Sequence, residues 1–150
     1  MKKMGLLNAV TLMLVYMTMA LGVLFIILLP RLLPMILFIP APEPTLTYTI
    51  TLICWILGSL LGLFILFTLT RMMHSVSSDP FIRKNVLRLR NMGFAALIMA
   101  VFTLIAVLLY ARPMLYLIMT AEVLCALFSL VLRGVFEKAV EYREENALTI

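Results

Sequence analysis

Residues 71–92, RMMHSVSSDPFIRKNVLRLRNM, form the one long polar interruption in a chain of 150 residues that is 65% hydrophobic. Two long apolar runs precede this stretch and two follow it. About 20 apolar residues are enough for a helix to cross the roughly 30 Å of membrane hydrocarbon. The pattern therefore predicts an all-α integral membrane bundle of four transmembrane helices, with the polar stretch as the connector between the second and the third.

The four spans are predicted at residues 5–29, 46–70, 93–110 and 114–132 of a single membrane domain. Prolines are expected to end the first helix, because proline lacks the N–H that a helix interior needs and its ring clashes with the preceding turn. They are Pro30, Pro34, Pro40, Pro42 and Pro44. The apolar residues 32–39 among them are expected to dip into the membrane interface. Arg112 and Pro113 predict a tight turn between the third and fourth spans.

The connector itself is predicted to contain an amphipathic helix over residues 80–91. Ser77, Ser78 or Asp79 would cap this helix, with Pro80 in its first turn. One face is apolar (Phe81, Ile82, Val86 and Leu89) and the other is mostly basic (Arg83, Lys84, Arg88 and Arg90). Such a helix lies at the interface with its basic face toward anionic lipid or a protein partner. Residues 134–146 predict a second cytosolic helix, followed by the tail ALTI at 147–150.

The distribution of positive charge predicts the orientation, because loops rich in lysine and arginine stay in the cytoplasm. With both termini and the connector inside, the outer side holds Arg31 and Arg112. The inner side holds the other ten basic residues: Lys2, Lys3, Arg71, Arg83, Lys84, Arg88, Arg90, Arg133, Lys138 and Arg143. We therefore expect both termini to be cytoplasmic.

Composition and motifs argue against several classes of protein. A mean hydropathy of +1.17 with 13% charged residues disfavours a soluble domain. The net charge of +5 comes from residues at the ends of apolar runs, which does not predict a nucleic-acid groove. Cys54 and Cys125 lack metal-ligand spacing, and His74 has no second histidine or acidic cluster nearby. No catalytic motif is present, so we expect a non-enzymatic protein without a metal or cofactor.

Glu122 is the one ionisable residue deep in a predicted span. A charge at that depth costs about 2.5–3.5 kcal/mol on insertion scales. We expect the neutral acid unless a cation or water reaches it. Three hypotheses remain open: a hydrogen bond to a neighbouring helix through Ser59, Thr103 or Thr120, a proton- or cation-coupled site, and a contact with another subunit.

Gly58 and Gly62 form a GxxxG pattern in the second span. Small residues at this spacing let two membrane helices approach closely. The pattern leaves open whether a neighbouring span of the same chain packs there, whether it is a dimer seam, or whether it has no special role.

Two segments resemble a known family when they are taken together. The first is Asp79-Pro80-Phe81 with Asn85, Leu89-Arg90 and Gly93. The second runs from Phe136-Glu137-Lys138-Ala139 to Arg143-Glu144-Glu145-Asn146-Ala147-Leu148-Thr149-Ile150. This combination is similar to the DUF2975 family of small bacterial four-helix membrane proteins of unknown function. The chain departs from the family pattern at Ala139, Tyr142 and Ala147. The resemblance implies location in the bacterial inner membrane.

The resemblance also implies an association with a small helix-turn-helix regulator, which is often encoded beside such proteins. We therefore predict a membrane-bound binding or regulatory protein, acting as a partner or antagonist of that regulator. The predicted partner-binding residues lie in the two motif segments: Asp79, Pro80, Phe81, Asn85, Arg88, Arg90, Phe136, Arg143, Glu144, Glu145, Asn146, Leu148, Thr149 and Ile150. Direct binding of nucleic acid is not expected, and another membrane protein or a second copy of the chain are further possible partners.

Two alternative functions fit the same sequence. One is a small oligomeric transporter or channel subunit that uses Glu122. The other is an immunity or stress-tolerance factor acting through the proline-rich loop at residues 30–44. The tail from Leu148 to Ile150 also has two possible roles, since it could enter a partner's groove or strand edge, or fold back on the Phe81/Val86 face of the connector.

Overall fold

The computed structural model describes residues 6–38, 45–76 and 81–148, and the regular structure in these residues is entirely helical. The helices are α1 (Leu6–Leu37), α2 (Leu46–Val76), α3 (Arg83–Tyr110) and α4 (Pro113–Leu148). All four are long and apolar enough to cross a membrane. The predicted all-α architecture with four membrane-spanning helices is confirmed at this level.

Helices that follow one another in the chain also pack against one another in space. The α3–α4 pair has the most extensive contact, followed by α2–α3 and then α1–α2. The buried face of α3 consists largely of small residues, which let neighbouring membrane helices approach closely. They are Ala95, Ala96, Ala100, Thr103 and Ala106. Large apolar side chains such as Leu108 and Leu117 point outward and are 75% and 73% exposed, as expected for a surface that faces hydrocarbon.

A buried cluster closes the end of the bundle where α3 turns into α4. It is formed by Leu33, Leu37, Ala106, Val107 and Leu115. The side chains of Leu33, Leu37 and Leu115 are fully buried, and α2 covers the cluster with partly buried aromatic residues. The last turns of α1 are therefore part of the core.

This packing corrects the prediction for the prolines. The helix α1 continues through Pro30 and Pro34 to Leu37, so it does not stop at Pro30. Pro34 leaves the carbonyl oxygen of Pro30 without its helical donor, and the hydroxyl of Tyr48 donates a 3.0 Å hydrogen bond to that oxygen. Residues 39–44, with the other three prolines, lie outside the described residues.

The turn between α3 and α4 is as short as its sequence predicts. Ala111 adopts a left-handed conformation (φ 46°) and its N–H donates to the carbonyl oxygen of Val107 at 2.8 Å, which ends α3. The helix α4 begins at Pro113, a favoured position for proline because the first turn of a helix needs no N–H there. The amide of Leu115 donates to the carbonyl oxygen of Arg112 at 3.0 Å.

The two predicted cytosolic helices are not separate elements. The helix α3 begins at Arg83 rather than Pro80, follows an extended Ile82, and runs without a break into the third span. The helix α4 likewise runs through Arg133 and Gly134 to Leu148. A change from apolar to polar residues alters the preferred solvent but does not break a helix. The amphipathic residues therefore extend α3 and α4 and do not form separate helices.

Gly93 lies where α3 and α4 pack closely, with a backbone oxygen as well as a side chain beside it. A Cβ at this position would lie 2.8 Å from both Cγ and Cδ2 of Leu130 and 3.3 Å from the carbonyl oxygen of Ala126 on α4. The glycines of the GxxxG pattern face α3, where a Cβ would meet Phe102 or Met99 only at 3.9 and 3.8 Å. Those distances are ordinary van der Waals contacts, so neither Gly58 nor Gly62 is sterically required.

Candidate functional site

The polar ends of α3 and α4 extend well past their apolar segments. The helix α4 has 36 residues, which corresponds to a length of about 54 Å, whereas the hydrocarbon is about 30 Å thick. We call residues 81–92 and 133–146 the α3–α4 extension. Most of the sequence-predicted partner-binding residues that the structure describes lie within it.

Apolar contacts join the two halves of the extension along its length. The rings of Phe81 and Phe136 lie with centroids 5.5 Å apart and planes inclined by 48°. Val86, Leu89 and Val140 are buried. The face that the sequence assigned to the membrane interface is thus used largely to hold α3 and α4 together.

An ion pair closes the extension at its far end. The guanidinium of Arg83 donates to both carboxylate oxygens of Glu144, with Nε–Oε1 and Nη2–Oε2 distances of 3.0 and 2.6 Å. The hydrogen bond from Arg83 lowers the pKa of Glu144; desolvation opposes this effect, and the positive charge of Arg83 adds to it. The same interaction raises the pKa of Arg83. Because the two side chains remain 75% and 50% exposed, the pair fixes geometry more than it adds stability.

A buried asparagine connects the extension to the end of α2. The side chain of Asn85 is fully buried, and its Nδ2 donates to the hydroxyl of Ser75 at 3.3 Å. Arg88 Nη1 donates both to Asn85 Oδ1 at 2.9 Å and to the carbonyl oxygen of Arg71 at 3.1 Å. Asn85 and Arg88, which the sequence suggested for partner binding, are therefore engaged within the chain.

One side of the extension contains a groove of about 250 Å³, which we call the extension groove. Its floor includes the buried Val86 and Val140, and Leu87 on its wall is 49% exposed. The charged rim already contains two ion pairs, since Arg83 binds Glu144 and Glu137 binds Arg133 at 3.2 Å. The lining consists of Arg83, Val86, Leu87, Glu137, Val140 and Glu141.

The other predicted partner-binding residues have different positions. On the surface of the extension lie Phe81, Arg90, Arg143, Glu144, Glu145 and Asn146. Phe136 is half-buried against Phe81. Leu148 ends α4. Asp79, Pro80, Thr149 and Ile150 lie outside the described residues, so the two hypotheses for the tail stay predictions.

A second site lies in the middle of the membrane-spanning region, around Glu122. A cleft of about 250 Å³ there is lined by residues from all four helices. Its walls are largely apolar, with Glu122 as the charged residue among them. The lining residues are Phe25, Cys54, Trp55, Gly58, Ser59, Met99, Phe102, Thr103, Ile118 and Glu122.

The three hydroxyl residues suggested as partners of Glu122 differ in what their side chains contact. The Thr103 hydroxyl lies within hydrogen-bonding reach of the carboxyl group. Ser59 lines the same cleft, but its hydroxyl donates to the carbonyl oxygen of Trp55 at 2.8 Å. Thr120 donates to the carbonyl oxygen of Tyr116 at 2.8 Å and is exposed. Of the three hydroxyl residues, Thr103 on α3 is thus the one that interacts with Glu122.

Two buried polar atoms on side chains that line the cleft have no hydrogen-bond partner among the described residues. They are Oε2 of Glu122 and Nε1 of Trp55. Buried polar atoms in folded proteins are nearly always paired, with protein, water or a ligand. Sequence reasoning singled out Glu122 but missed Trp55, although the only tryptophan of an otherwise apolar chain is a candidate because its N–H needs an acceptor when buried.

The side chains that could bind a metal ion are scattered in the described part of the chain. No group of three or more of them occurs among residues 6–38, 45–76 and 81–148. The ring of His74 is 2.9 Å from the carbonyl oxygen of Thr70, one turn earlier in its own helix.

These features define the class of protein: a multi-pass membrane protein of four helices, with a helical extension beyond the apolar segments. The chain belongs to the DUF2975 family, described as a protein of unknown function, whose family profile matches residues 3–150. The resemblance inferred from the two motif segments is thereby confirmed. No curated protein and no solved structure matches the chain.

Proposed function

We propose that this protein is a non-enzymatic, membrane-bound regulator that captures a cytosolic protein through the α3–α4 extension. The extension groove carries this proposal, because it combines an apolar floor with a charged rim outside the apolar segments. Binding sites for protein segments commonly have this combination. The bacterial inner membrane, with both termini in the cytoplasm, is the proposed location, supported by ten basic residues on that side against two on the other.

The walls of the groove are held in place before any partner arrives. The ring contact of Phe81 with Phe136 and the ion pair of Arg83 with Glu144 join α3 to α4. Asn85 joins α3 to α2. A surface that is already ordered loses little conformational entropy on binding, which favours affinity.

The chemistry of the rim suggests which partner fits. Arg83 and Glu137 already have ionic partners. The exposed Glu141 also acts electrostatically on Arg83, and it adds negative charge to the groove that a cation of a partner can meet. The half-exposed Leu87 offers an apolar contact beside it. A helix with an apolar side chain next to an arginine or lysine complements these two groups. DNA-binding helix-turn-helix proteins carry basic helices of this kind, so we propose such a regulator as the partner, held away from DNA while it is bound.

The membrane itself is the second proposed partner of this end. Arg71 and Arg90 are exposed near the start of the apolar segments, where long basic side chains reach toward anionic headgroups. The guanidinium of Arg71 also lies 4.7 Å from the centroid of the Phe67 ring. These contacts support the orientation in which the extension faces the anionic inner leaflet.

The proposed partner is tested by affinity purification from native cells in mild detergent. Four forms are compared: the intact chain, Glu141→Lys, Glu145→Lys, and a chain lacking residues 146–150. Glu141 lines the groove, whereas Glu145, which the sequence also suggested for partner binding, is an exposed glutamate of the same helix outside it. The two charge reversals are therefore matched, and they separate the groove from the rest of the motif as the binding site. Each captured protein is then challenged with competing duplex DNA.

We expect the intact chain and Glu145→Lys to capture a DNA-binding protein that Glu141→Lys does not capture. Competing duplex DNA should displace this protein. Loss from the truncated chain as well would extend the binding site to the tail. Equal retention by both lysine variants would show that the groove is not the binding site. Capture that is unaffected by DNA would rule out the basic surface of the partner as the contact.

A further inference from the structure

The cleft around Glu122 has the dimensions and the chemistry of a ligand site. Its volume of about 250 Å³ is several times the roughly 30 Å³ that one water molecule occupies in the liquid. Pockets for drug-sized ligands begin at about 300 Å³. The cleft is therefore too large for a single water, lies just below the range for drug-sized ligands, and has room only for a smaller organic molecule.

Its polar groups are few, and two of them are unsatisfied. Glu122 Oε2 and Trp55 Nε1 are buried without a hydrogen-bond partner among the described residues. Thr103 serves the same carboxyl group from α3, whereas the Ser59 hydroxyl is occupied by its own helix. An unpaired carboxyl group in hydrocarbon costs more free energy than an unpaired indole N–H. A ligand that donates a hydrogen bond to Glu122 would remove this larger cost.

The remaining walls are aromatic or aliphatic. Phe25, Trp55 and Phe102 come from three different helices and line the same cleft as the carboxyl group. Aromatic faces attract cations as well as apolar groups. We propose that this cleft binds a small lipophilic amine, whose ammonium group pairs with Glu122 and whose apolar body packs against the rings.

The position of the cleft favours a ligand that dissolves in the membrane. Phe25 of α1 and Ile118 and Glu122 of α4 line the cleft together with residues of α2 and α3, and α1 and α4 share little direct packing. An opening between α1 and α4 would lead from the hydrocarbon to the cleft. An amphiphilic amine in the hydrocarbon can reach such a site, whereas a small hydrated cation must first lose its water. The proposal is independent of the extension groove, because none of the residues lining one site lines the other.

The test uses two probes of matched shape with the full-length protein in lipid nanodiscs. They are 4-phenylbutylamine, which carries the ammonium group, and 4-phenylbutanol, which does not. Binding is measured by equilibrium dialysis against empty nanodiscs, which removes the contribution of partition into lipid. The fluorescence of Trp55, the only tryptophan of the chain, reports whether a probe enters the cleft.

We expect the amine to bind more tightly than the alcohol and to change the Trp55 emission. Glu122→Gln should weaken amine binding by about tenfold to a hundredfold, the range for a charge-assisted hydrogen bond, and leave the alcohol nearly unchanged. Thr120→Val is the control, since Thr120 is exposed on the same helix and bonds its own backbone. Unchanged alcohol binding and an unchanged melting temperature of Glu122→Gln establish that this variant is folded.

Three results would overturn the proposal. The first is equal binding of the amine and the alcohol to the wild-type chain. The second is a preference for the amine that survives Glu122→Gln. The third is the absence of any binding above that of empty nanodiscs, which would mean that water alone fills the cleft.

Discussion

The phenol of Tyr48 on α2 supplies the hydrogen bond that Pro34 takes away from Pro30 on α1. The distance from the Tyr48 hydroxyl to the Pro30 carbonyl oxygen is 3.0 Å, and this oxygen is the acceptor that the amide of residue 34 would serve in a regular helix. A side chain on a neighbouring helix thus supplies the hydrogen bond that is missing at one of the two prolines inside α1. The fully buried Leu33 and Leu37 depend on that continuation.

The first prediction concerns the Tyr48 hydroxyl, which donates to the Pro30 carbonyl oxygen in place of the backbone amide that Pro34 lacks. Tyr48→Phe should lower the free energy of unfolding by about 0.5–1.5 kcal/mol, because it leaves the Pro30 carbonyl oxygen without a donor. In a Pro34→Ala background the same substitution should cost much less, since the alanine amide restores the helical bond. Thermal unfolding of the four proteins in one detergent gives the coupling energy of the cycle. Additive effects would mean that Tyr48 stabilises the fold in another way.

The second prediction compares two glycines. Gly93→Ala should destabilise the α3–α4 contact, because the new Cβ would lie 2.8 Å from Leu130 and 3.3 Å from the backbone oxygen of Ala126. Overpacking of this kind costs typically about 1–3 kcal/mol. At Gly134 nothing lies within 4 Å, so Gly134→Ala should stabilise α4 by about 0.5–1 kcal/mol through helix propensity. The unfolding midpoints of the two variants are compared with that of the wild type under the same conditions. A loss of stability in both variants would contradict the packing argument.

The third prediction concerns acid. The pKa of Glu144 is lowered in the folded protein by its hydrogen bond to Arg83, so the contribution of the pair is fully present above the ordinary value of 4.5. It should be lost as the pH falls below 4.5 and passes through the lowered folded pKa, because protonation of the carboxylate then ends the pairing.

Spin labels at Lys84 and Tyr142, both exposed, measure the separation of the two helices directly. The wild-type distance distribution should broaden between neutral pH and about pH 3. In Glu144→Gln the distribution should already be broad at neutral pH. Glu141→Gln should behave like the wild type. A pH response that persists in Glu144→Gln would assign the acid sensitivity to another group.

The fourth prediction concerns the orientation in the membrane. In a chain whose Cys54 and Cys125 are replaced by serine, a cysteine is introduced at Arg112 or at Arg90, both of which are exposed. A maleimide that cannot cross membranes should label Arg112→Cys in intact cells and label Arg90→Cys only after the membrane is permeabilised. The reverse pattern would overturn the orientation inferred from the charges and, with it, a cytosolic partner for the extension groove.

The number of spans was predictable because hydrocarbon thickness sets the length of an apolar run. Helix ends were less predictable where neighbouring helices decide them. The sequence around Pro34 does not indicate that Tyr48, fourteen residues later, donates a hydrogen bond to the Pro30 carbonyl oxygen. The prediction for the polar start of α3 was incomplete for a related reason. An amphipathic face fits a lipid surface and a neighbouring helix equally well. The burial of Val86 and Leu89 shows that this face packs within the protein.

The sites were predictable in part. Glu122 stands out by charge alone, and Thr103 was among its three suggested partners. Asn85 and Arg88 were recognisable as motif residues, but the sequence does not reveal that they bond to Ser75 and to the backbone of Arg71. Gly93 was also part of the motif, whereas its role depends on Leu130, which contacts it from another helix.

The continuity of α4 has a mechanical consequence. Leu115, fully buried in the core cluster, fixes one end of this helix, with Glu122 about 10 Å and Glu144 about 44 Å away along its axis. A rigid tilt of α4 about Leu115 therefore displaces Glu144 roughly four times as far as Glu122. In such a tilt, the short arm of the helix would lie in the membrane cleft and its long arm would carry one wall of the extension groove.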